Sequence, residues 1–319
     1  MKLIKEIKIG KLKLKNNLFL SPMVDVTDLA YREICRNAGA AMAYTEMLYI
    51  DAILHENAKT KQLMKIDKGE KPIGLQVTGN NEEEFKKFAK LKELKNYDLI
   101  DINCGCPSIK ITGNEAGSFL MKTPEKIGRM VTILKNEGYI VTVKIRLGFK
   151  KNNAIEVAKI IEKAGADAIT VHARLATHGR DIPADWKWIK KVKEGIGIPV
   201  IGNGDIFSGK DAVRMMEVTG CDGVMIARGA IGDPYIFQRV LEYLKTGKEK
   251  EFDIKKNIVA FNEYLKLVEK YDIIDMGRVK YLGGKFIRGF DGAAKVRNDF
   301  SKLKSFEEVK EFFINLELS

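Results

Sequence analysis

Short apolar runs alternate with longer amphipathic stretches between residues 15 and 245. The apolar runs predict β-strands over Asn17–Met23, Met42–Met47, Pro72–Val77, Asp98–Asn103, Ile140–Arg146, Ala168–His172, Ile198–Gly202 and Gly223–Ala227. The stretches between them predict helices, among them Glu82–Leu94, Pro124–Glu137, Asn153–Ala164 and Gly209–Thr219. Eight successive strand-then-helix units predict an α/β fold, a (β/α)8 TIM barrel. A doubly wound sheet is the alternative, but its usual glycine-rich fingerprint does not follow Met23.

Within the predicted strands, polar or small side chains alternate with apolar ones. In the fifth strand Thr142, Lys144 and Arg146 share one face, and Val143 and Ile145 share the other. The same alternation gives neighbouring strands a polar or small face made of Gly74 and Gln76, Asp101 and Asn103, and Thr170 and His172. We expect the apolar faces to pack on the helices and the polar faces to line the barrel interior. Because barrel active sites lie at the carboxyl ends of the strands, these polar positions indicate a ligand site.

The strand pattern stops at the charged segment Leu244–Asp253, which contains Gly247 and predicts a linker. Three or four amphipathic helices are predicted beyond it, within Ile254–Lys270, Gly277–Arg288, Ala293–Ser301 and Phe306–Leu316. We therefore expect a barrel domain over residues 1–245 and a small all-helical domain over residues 246–319.

The composition is that of a globular protein, with 45% hydrophobic and 31% charged residues. Lysines recur so closely from Met1 to Lys15 that no apolar signal core forms, and no run approaches the roughly 20 apolar residues that span a bilayer. We expect a cytoplasmic protein with no membrane partner and no obligate protein partner. The net charge of +12 suits a polyanion such as RNA, although a lysine-rich composition is also typical of heat-adapted proteins. Local cations in the helical domain are Arg278, Lys280, Lys285, Arg288 and Arg297.

The four cysteines do not form the framework of a disulfide-rich protein. Cys104 and Cys106 are separated by a single residue, and the chain contains three histidines. A four-ligand zinc site is hard to assemble from this set, so we predict no metal centre.

Two glycine-bearing turns follow the last two predicted strands. Gly202 and Gly204 follow the seventh strand, while Arg228 and Gly229 follow the eighth. Glycines at these places let backbone N–H groups approach a phosphate, and Arg228 adds positive charge. The pattern predicts a phosphorylated cofactor or substrate, with glycines that serve the turns alone as the alternative.

Lys144 is predicted to point into the barrel from the fifth strand. A buried lysine requires an anionic partner, and a reduced flavin offers one around N1 and the C2 carbonyl. His172 and Gln76 could hydrogen-bond the same ring edge, and Pro22 and Met23 could pack on its flat face. The alternative is a Schiff-base lysine, as in barrel aldolases.

Cys106 lies in the loop after the fourth predicted strand, between Asn103 at the strand end and the long stretch Ser108–Ser118. This loop carries glycines and is long enough to act as a lid at the reactive end of the barrel. The residues alone leave open whether Cys106 acts as an acid, a base or a nucleophile. His178 and Arg180 are predicted to lie in a loop after the sixth strand, from which they could contact RNA.

Taken together, these segments resemble the tRNA-dihydrouridine synthases, an FMN-dependent family. The matching motifs are Ser21–Asp28 with Tyr31-Arg32, Asp101–Lys110 with Ala116–Ser118, Val143–Gly148, Val171–Arg174, Ile201–Ile206 and Val224–Gly229. They run in order over nearly the whole predicted barrel, and weaker matches continue to Arg297. The element Asn103–Pro107 (Asn-Cys-Gly-Cys-Pro) is specific to this family, whereas the lysine, histidine and Asn-Gly-Asp elements are shared more widely by FMN barrels.

The resemblance implies a cofactor, a substrate and a set of roles. FMN would be held by Pro22, Met23, Gln76, Lys144, His172, Asn203, Gly204, Asp205, Ala227 and Arg228. NADPH, or NADH, would reduce the flavin, which would then pass a hydride to C6 of a uracil flipped out of tRNA. Cys106 would protonate C5, and Asn103 and Arg174 would stabilise the charge that develops on the uracil carbonyls.

The chain departs from the family pattern at two places. Val24-Asp25 follows Pro-Met where the family usually has Ala-Gly, and Asn114-Glu115 stands where glycines are common. The rival functions are an FMN barrel that acts on a free small molecule, of the dihydroorotate dehydrogenase type, and an RNA-binding protein without catalysis. The sequence does not specify the modified uridine, the choice between NADPH and NADH, or the oligomeric state.

Overall fold

The structure, a computed structural model, describes residues 3–318, so the predicted domain limits at residues 1 and 319 lie outside the described residues. A two-stranded hairpin comes first, formed by β1 (Ile7–Ile9) and β2 (Leu12–Leu14). The barrel strands follow as β3 (Leu18–Leu20), β4 (Ala43–Tyr44), β5 (Leu48–Tyr49), β6 (Ile73–Thr78), β7 (Leu99–Cys104), β8 (Val141–Ile145), β9 (Ala168–His172), β10 (Val200–Asn203) and β11 (Gly223–Ile226). All the strand pairs of this sheet are parallel.

The sheet closes into a barrel because β3 has a neighbour on each of its two sides. β3 pairs with β11 on one side, and on the other side it meets the residues just before β4. The N–H of Leu20 donates to the carbonyl of Met42 at 2.9 Å, and the N–H of Ala41 donates to the carbonyl of Leu18 at 2.9 Å. The predicted (β/α)8 TIM-barrel fold is therefore confirmed.

The second barrel strand differs from its prediction. Met42–Met47 was expected to be one strand, but β4 and β5 are separate segments that both pair with β6. The break falls at Glu46, whose carboxylate leaves the sheet to accept hydrogen bonds from the N–H of Asp25 at 2.7 Å and from Arg278 at 2.6 Å. The predicted strand therefore keeps only Ala43 and Tyr44 as β4, and β5 lies beyond its predicted end at Met47.

The hairpin β1–β2 was not predicted. Its apolar residues Ile7, Ile9 and Leu14 pack with Phe19 and Met225, which point into the barrel. The segment from Ile7 to Leu14 alternates apolar residues with lysines around Gly10, so a period-two reading would have found it. The hairpin covers the amino-terminal end of the barrel and leaves the carboxyl end for a site.

The predicted division between the two faces of the strands is present. Val143, Ile145 and Val171 belong to the large apolar core between strands and helices. On the opposite face, Asp101 accepts a hydrogen bond from Gln76 at 2.7 Å and from Thr142 at 2.6 Å. Interior polar groups without water need such partners, and here they supply one another.

The helices are α1 (Leu29–Asn37), α2 (Ile50–Leu54), α3 (Ala58–Leu63), α4 (Glu82–Phe88), α5 (Ile109–Gly113), α6 (Pro124–Asn136), α7 (Ala154–Lys163), α8 (Lys187–Gly195), α9 (Gly209–Thr219), α10 (Ile236–Thr246), α11 (Ile254–Lys270), α12 (Met276–Phe286), α13 (Ala293–Ser301) and α14 (Phe306–Leu318). Side-chain caps start several of them, as where Asp28 accepts from the N–H of Tyr31 at 2.8 Å. The predicted helix Glu82–Leu94 ends early, and a separate 3-10 helix spans Lys92–Asn96. Among residues 3–318, no helix combines the length and apolarity needed to cross a bilayer.

The helices α11–α14 pack around a cluster of aromatic rings. Phe261 lies 4.2 Å from Phe313 and 4.9 Å from Phe286, measured between ring centroids. Gly283 lets Phe300 approach α12, because a Cβ at that position would lie 2.4 Å from the ring of Phe300. The helical C-terminal region is confirmed, while its division from the barrel at residues 245 and 246 stays a prediction.

A buried ion-pair cluster joins α12 to the barrel. Arg278 donates to Asp28 at 3.2 Å and to Glu46 at 2.6 Å, and Tyr264 also donates to Asp28 at 2.9 Å. Arg278, one of the local cations named from the sequence, is 7% exposed and is therefore not available on the surface. Its charge serves the interface between the helical region and two barrel loops.

We predict that Arg278→Met lowers the free energy of unfolding by about 3–5 kcal/mol, because it leaves two buried carboxylates without their cation. Chemical denaturation measures the loss. Arg288→Met is the matched control, since Arg288 lies 3.5 Å from Asp233 with 43% of its side chain exposed. It should cost less than about 1 kcal/mol. Equal losses in the two variants would contradict the prediction.

Candidate active site

A cavity of about 310 Å³ opens at the carboxyl ends of the barrel strands. Its walls come from the loop after β3, from β8 and β9, and from the turns after β10 and β11. The polar side chains that line it are Ser21, Lys144, Arg146, His172, Arg174, His178, Arg180, Asn203, Asp205, Arg228 and Tyr281.

The predicted site residues divide into two groups. The cavity is lined by Pro22, Met23, Lys144, His172, Arg174, Asn203, Gly204, Asp205, Ala227 and Arg228. Gln76 and Asn103 are buried beside Asp101 in the barrel interior, and Cys106 lies in the adjoining loop after β7. The structure therefore brings ten of the predicted residues to one cavity and places three next to it.

Lys144 is enclosed at the end of β8. Burial and the neighbouring Arg146 lower the pKa of Lys144 to about 8, against the opposing attraction of Asp101 and Cys106. Within residues 3–318, no side chain or carbonyl accepts a hydrogen bond from its Nζ. A partly buried ammonium group that lines the cavity without an acceptor fits an anionic ligand there.

Asp205 holds two of the cavity cations. Its carboxylate accepts two hydrogen bonds from Arg174, at 2.6 and 2.7 Å, and one from Arg228 at 2.8 Å. The N–H of Ala184 donates to it at 2.8 Å. Burial alone would raise the pKa of Asp205, but these donors outweigh it and lower the pKa below its ordinary value. Asp205 thus keeps both guanidinium groups fixed beside the cavity.

The glycines that follow or end β10 and β11 are required for different structural reasons. Gly204 has φ +124°, and a Cβ there would lie 2.9 Å from Ala184. A Cβ on Gly229 would lie 2.3 Å from the carbonyl oxygen of Ile206. Both line the cavity, whereas Gly202 faces α9, where a Cβ would lie 2.5 Å from the sulfur of Met215. The assignment of Gly202 to the phosphate turn is therefore wrong. A glycine stands at this position because α9 packs closely against it.

His172 is a neutral group in a cationic wall. Burial lowers its pKa well below the ordinary value, and Lys144, Arg146, Arg174 and Arg228 lower it further. Arg174 donates to Nε2 of His172 at 3.2 Å, which places the imidazole proton on Nδ1. The ring therefore offers a neutral N–H donor.

The Cys106 loop is held on several sides. Asn103 Oδ1 accepts hydrogen bonds from the N–H of Gly105 at 3.1 Å and of Cys106 at 2.8 Å. The carbonyl of Gly105 accepts from Arg146 at 2.8 Å, and that of Cys106 accepts from Ser118 at 3.0 Å. Among the cysteines, Cys106 is partly exposed, while Cys35, Cys104 and Cys221 are buried. The partly exposed cysteine is therefore the one whose loop is held in place by these hydrogen bonds.

Residues 19–317, which include the whole barrel and this cavity, match the family described as dihydrouridine synthase (Dus). The chain belongs to the dihydrouridine synthase family. Dihydrouridine synthases are flavin-dependent oxidoreductases, so the chain is an enzyme of that class. The resemblance inferred from the motifs is confirmed.

Relatives of known name agree along most of the chain. It is 35% identical over 315 residues to the "Probable tRNA-dihydrouridine synthase 1" of Synechocystis sp., covering 96% of this chain and 88% of that protein. It is 38% identical over 245 residues to the "tRNA-dihydrouridine synthase B" of Vibrio parahaemolyticus, covering 76% of each.

Two solved structures share the barrel fold. Histamine dehydrogenase from Rhizobium sp. 4-9 superposes with a TM-score of 0.57 at 16% identity, over 83% of this chain and 51% of that chain. This chain thus spans about half the length of the dehydrogenase. The old yellow enzyme homologue of Zymomonas mobilis superposes with a TM-score of 0.51 at 12% identity, over 81% and 96% of the two chains.

The two departures from the dihydrouridine synthase pattern have a structural account. Asp25 has φ +60° and Glu115 has φ +53°, so both stand in the left-handed region that favours glycine. The N–H of Asp25 is fixed by Glu46, which stabilises that conformation. Glu115 is exposed and follows the end of α5.

Arg146 and Tyr281 line the cavity but were not among the predicted site residues. Arg146 was placed on the interior face with Lys144, and that placement was the signal for a cavity residue. Tyr281 comes from α12 and is 44% exposed where it reaches the cavity. No pattern along the chain connects it with a barrel loop.

We predict that Glu115→Gly raises the free energy of unfolding by about 0.5–1 kcal/mol, because glycine adopts a left-handed backbone without steric cost. Thermal or chemical denaturation measures the gain. Glu137→Gly is the control, since Glu137 is also exposed and follows a helix but has φ −87°. The control should lose stability, and a gain in both variants would contradict the explanation.

Proposed function

We propose that this chain is a tRNA-dihydrouridine synthase that reduces the C5–C6 double bond of uridines in tRNA. FMN reduced by NADPH, or by NADH, would serve as its cofactor, and Cys106 would be the proton donor. The names of its relatives support the reaction, and they favour tRNA over a free small molecule. The observation that carries the mechanism is the partly exposed Cys106, held in a fixed loop beside Lys144.

The cavity residues fit FMN. The unpaired ammonium group of Lys144 suits the negative edge of the reduced isoalloxazine ring, and neutral His172 can donate to the same edge. Arg228 and the backbone around Gly204 and Gly229 suit the phosphate. When bound, FMN supplies the hydride for C6 of uracil and is restored by the nicotinamide cofactor.

The proposed proton donor works on the opposite atom of the double bond. As the hydride adds to C6, the electron pair of the double bond moves toward C5 and the C4 carbonyl. The Cys106 thiol gives its proton to C5, which completes dihydrouracil and leaves a thiolate. Burial lowers the pKa of both Lys144 and Arg146, and the electrostatic attraction of Cys106 opposes part of that lowering, so the sulfur lies close to two cations. Solvent then returns a proton to the sulfur.

Asn103 and Arg174 remain the proposed contacts to the uracil carbonyls. Of the two amide N–H groups of Asn103, one donates to Gln76 at 3.0 Å. Arg174 uses N–H groups on Ile182, His172 and Asp205. Each keeps one N–H for a ligand, and each is held in place by its other bonds.

We further propose that the basic surface binds tRNA and that the helical domain, residues 246–319, orients it in the cytoplasm. The net charge of +12 supports attraction to a polyanion. The position of Tyr281 supports a role of the helical domain at the site. This residue belongs to α12 and lines the same cavity as Lys144 of the barrel.

We predict that Cys106→Ala lowers the rate of dihydrouridine formation at least about 100-fold, because general acid catalysis contributes factors of this order. The assay supplies FMN, NADPH and an unmodified tRNA transcript and measures dihydrouridine by mass spectrometry. Cys104→Ala is the control, since Cys104 ends β7 two residues before Cys106 and is buried on the helix-facing side of that strand. Its rate should stay within about threefold of the native enzyme. Full activity of the Cys106 variant would refute the proton-donor role.

We predict that Lys144→Met weakens FMN binding about tenfold or more, because it removes the cation that faces the flavin. Titration of the apoprotein with FMN, followed by flavin fluorescence, measures the change. Lys135→Met is the control, because Lys135 pairs with Asp167 at 2.6 Å and lies outside the cavity. Unchanged FMN affinity in the Lys144 variant would refute the assignment.

A further inference from the structure

A chain of hydrogen bonds runs through the barrel interior from Asp101 to the Cys106 loop. Gln76 Nε2 donates to Asp101 at 2.7 Å, and Asn103 Nδ2 donates to Gln76 Oε1 at 3.0 Å. Asn103 Oδ1 then accepts the backbone N–H groups of Gly105 and Cys106. Asp101 is 1%, Gln76 1% and Asn103 7% exposed, so solvent has little access to the chain.

The order of donors and acceptors in this chain follows from its first member. An ionised carboxylate only accepts hydrogen bonds, so Gln76 must turn its NH2 group toward Asp101. The oxygen of Gln76 then faces Asn103, which must turn its own NH2 group toward Gln76. Only in that orientation does the oxygen of Asn103 face the N–H groups of the loop.

The opposite orientation carries a specific cost. If Gln76 were reversed, its NH2 group would face the NH2 group of Asn103, and one of them would have to turn. A reversed Asn103 would point its NH2 group at two backbone N–H donors. Buried donors left without acceptors are unfavourable, so reversal would free the loop from Asn103.

We propose that Asp101 is a positioning residue, whose carboxylate orients Gln76 and Asn103 and thereby fixes the backbone that presents Cys106. Its catalytic effect rests on the proposed function of Cys106 as proton donor, whereas its effect on the loop does not. Asp101 touches neither the cavity nor the thiol. It reaches the Cys106 loop through its hydrogen-bond partners, and it also attracts Lys144 electrostatically.

The test variant is Asp101→Asn, which keeps shape and volume but allows either orientation of Gln76. Burial raises the pKa of Asp101 to about 6, so assays at about pH 8 compare an ionised carboxylate with an amide. Alkylation of Cys106 by iodoacetamide, located by mass spectrometry, reports on the loop. The rate at which the pre-reduced, FMN-loaded enzyme reduces tRNA in a single turnover reports on proton donation.

Thr142→Val is the matched control. Thr142 donates to the same carboxylate at 2.6 Å but lies outside the chain that leads to Cys106. The hydrogen bond from Thr142 lowers the pKa of Asp101, so this variant removes one contact to the carboxylate but keeps the bond that Gln76 donates to it. Alkylation and single-turnover rates should both stay within about threefold of the native enzyme.

The double variant Asp101→Asn with Gln76→Glu tests orientation directly. The carboxylate introduced at position 76 would accept hydrogen bonds from the amide introduced at position 101 on one side and from Asn103 on the other. The native orientation of Asn103 would therefore be restored. Gln76→Met breaks the same hydrogen-bond chain and replaces Asp101→Asn in the test if that variant does not fold. In Gln76→Met only the alkylation rate of Cys106 is used, because Gln76 is also a proposed FMN contact.

We expect Asp101→Asn to raise the alkylation rate of Cys106 and to lower the single-turnover rate, each by about tenfold, since small misplacements of a reacting group cost factors of this order or more. The double variant should return the alkylation rate toward the native value. The proposal is overturned if Asp101→Asn, or Gln76→Met in its place, leaves alkylation unchanged, if Thr142→Val matches the effect, or if the double variant restores nothing. If Cys106→Ala proves fully active, the proposed function fails, yet the alkylation rates still decide whether Asp101 positions the loop.

Discussion

The contacts of Arg278 with Asp28 and Glu46 are the interaction on which the active end of this protein depends. Asp28 caps α1, and Glu46 holds the N–H of Asp25 in the loop after β3, so one guanidinium group fixes two barrel loops at once. The same contact sets the position of α12 and brings Tyr281 to the cavity. Because all three ionic groups are buried, Asp28 and Glu46 gain their cation, and Arg278 its two carboxylates, only when the helical region is docked.

The second constraint is the balance of charge around the cavity. Five cationic side chains of the described residues line it, contributed by Lys144, Arg146, Arg174, Arg180 and Arg228. Asp205 neutralises part of that charge by binding two of the arginines, and Asp101 lies below Lys144 in the interior. The remaining positive charge is best satisfied by an anion, which suits both a phosphorylated cofactor and a nucleic acid.

Much of the site could be predicted because strand periodicity is local. Two-residue alternation placed Lys144 and His172 on the interior face, and the turns after the last two strands brought Gly204 and Arg228 to the same end. The prediction erred where distant residues act, as at Gly202, which packs on α9 instead of lining the cavity. Arg278 was predicted only as one of several local cations of the helical domain, because a lone arginine in an amphipathic helix gives no sign of its partners.

The sequence by itself therefore determined the barrel, the interior position of Lys144, the loop that carries Cys106 and the family to which the chain belongs. These features follow from local alternation and from motifs whose residues are close together along the chain. Tertiary structure decided the break between β4 and β5, the approach of Tyr281 to the cavity and the hydrogen-bond chain from Asp101 to Cys106. Each of these depends on which buried polar groups meet, and hydrogen-bond partners from separate strands and helices leave no periodic trace in the sequence.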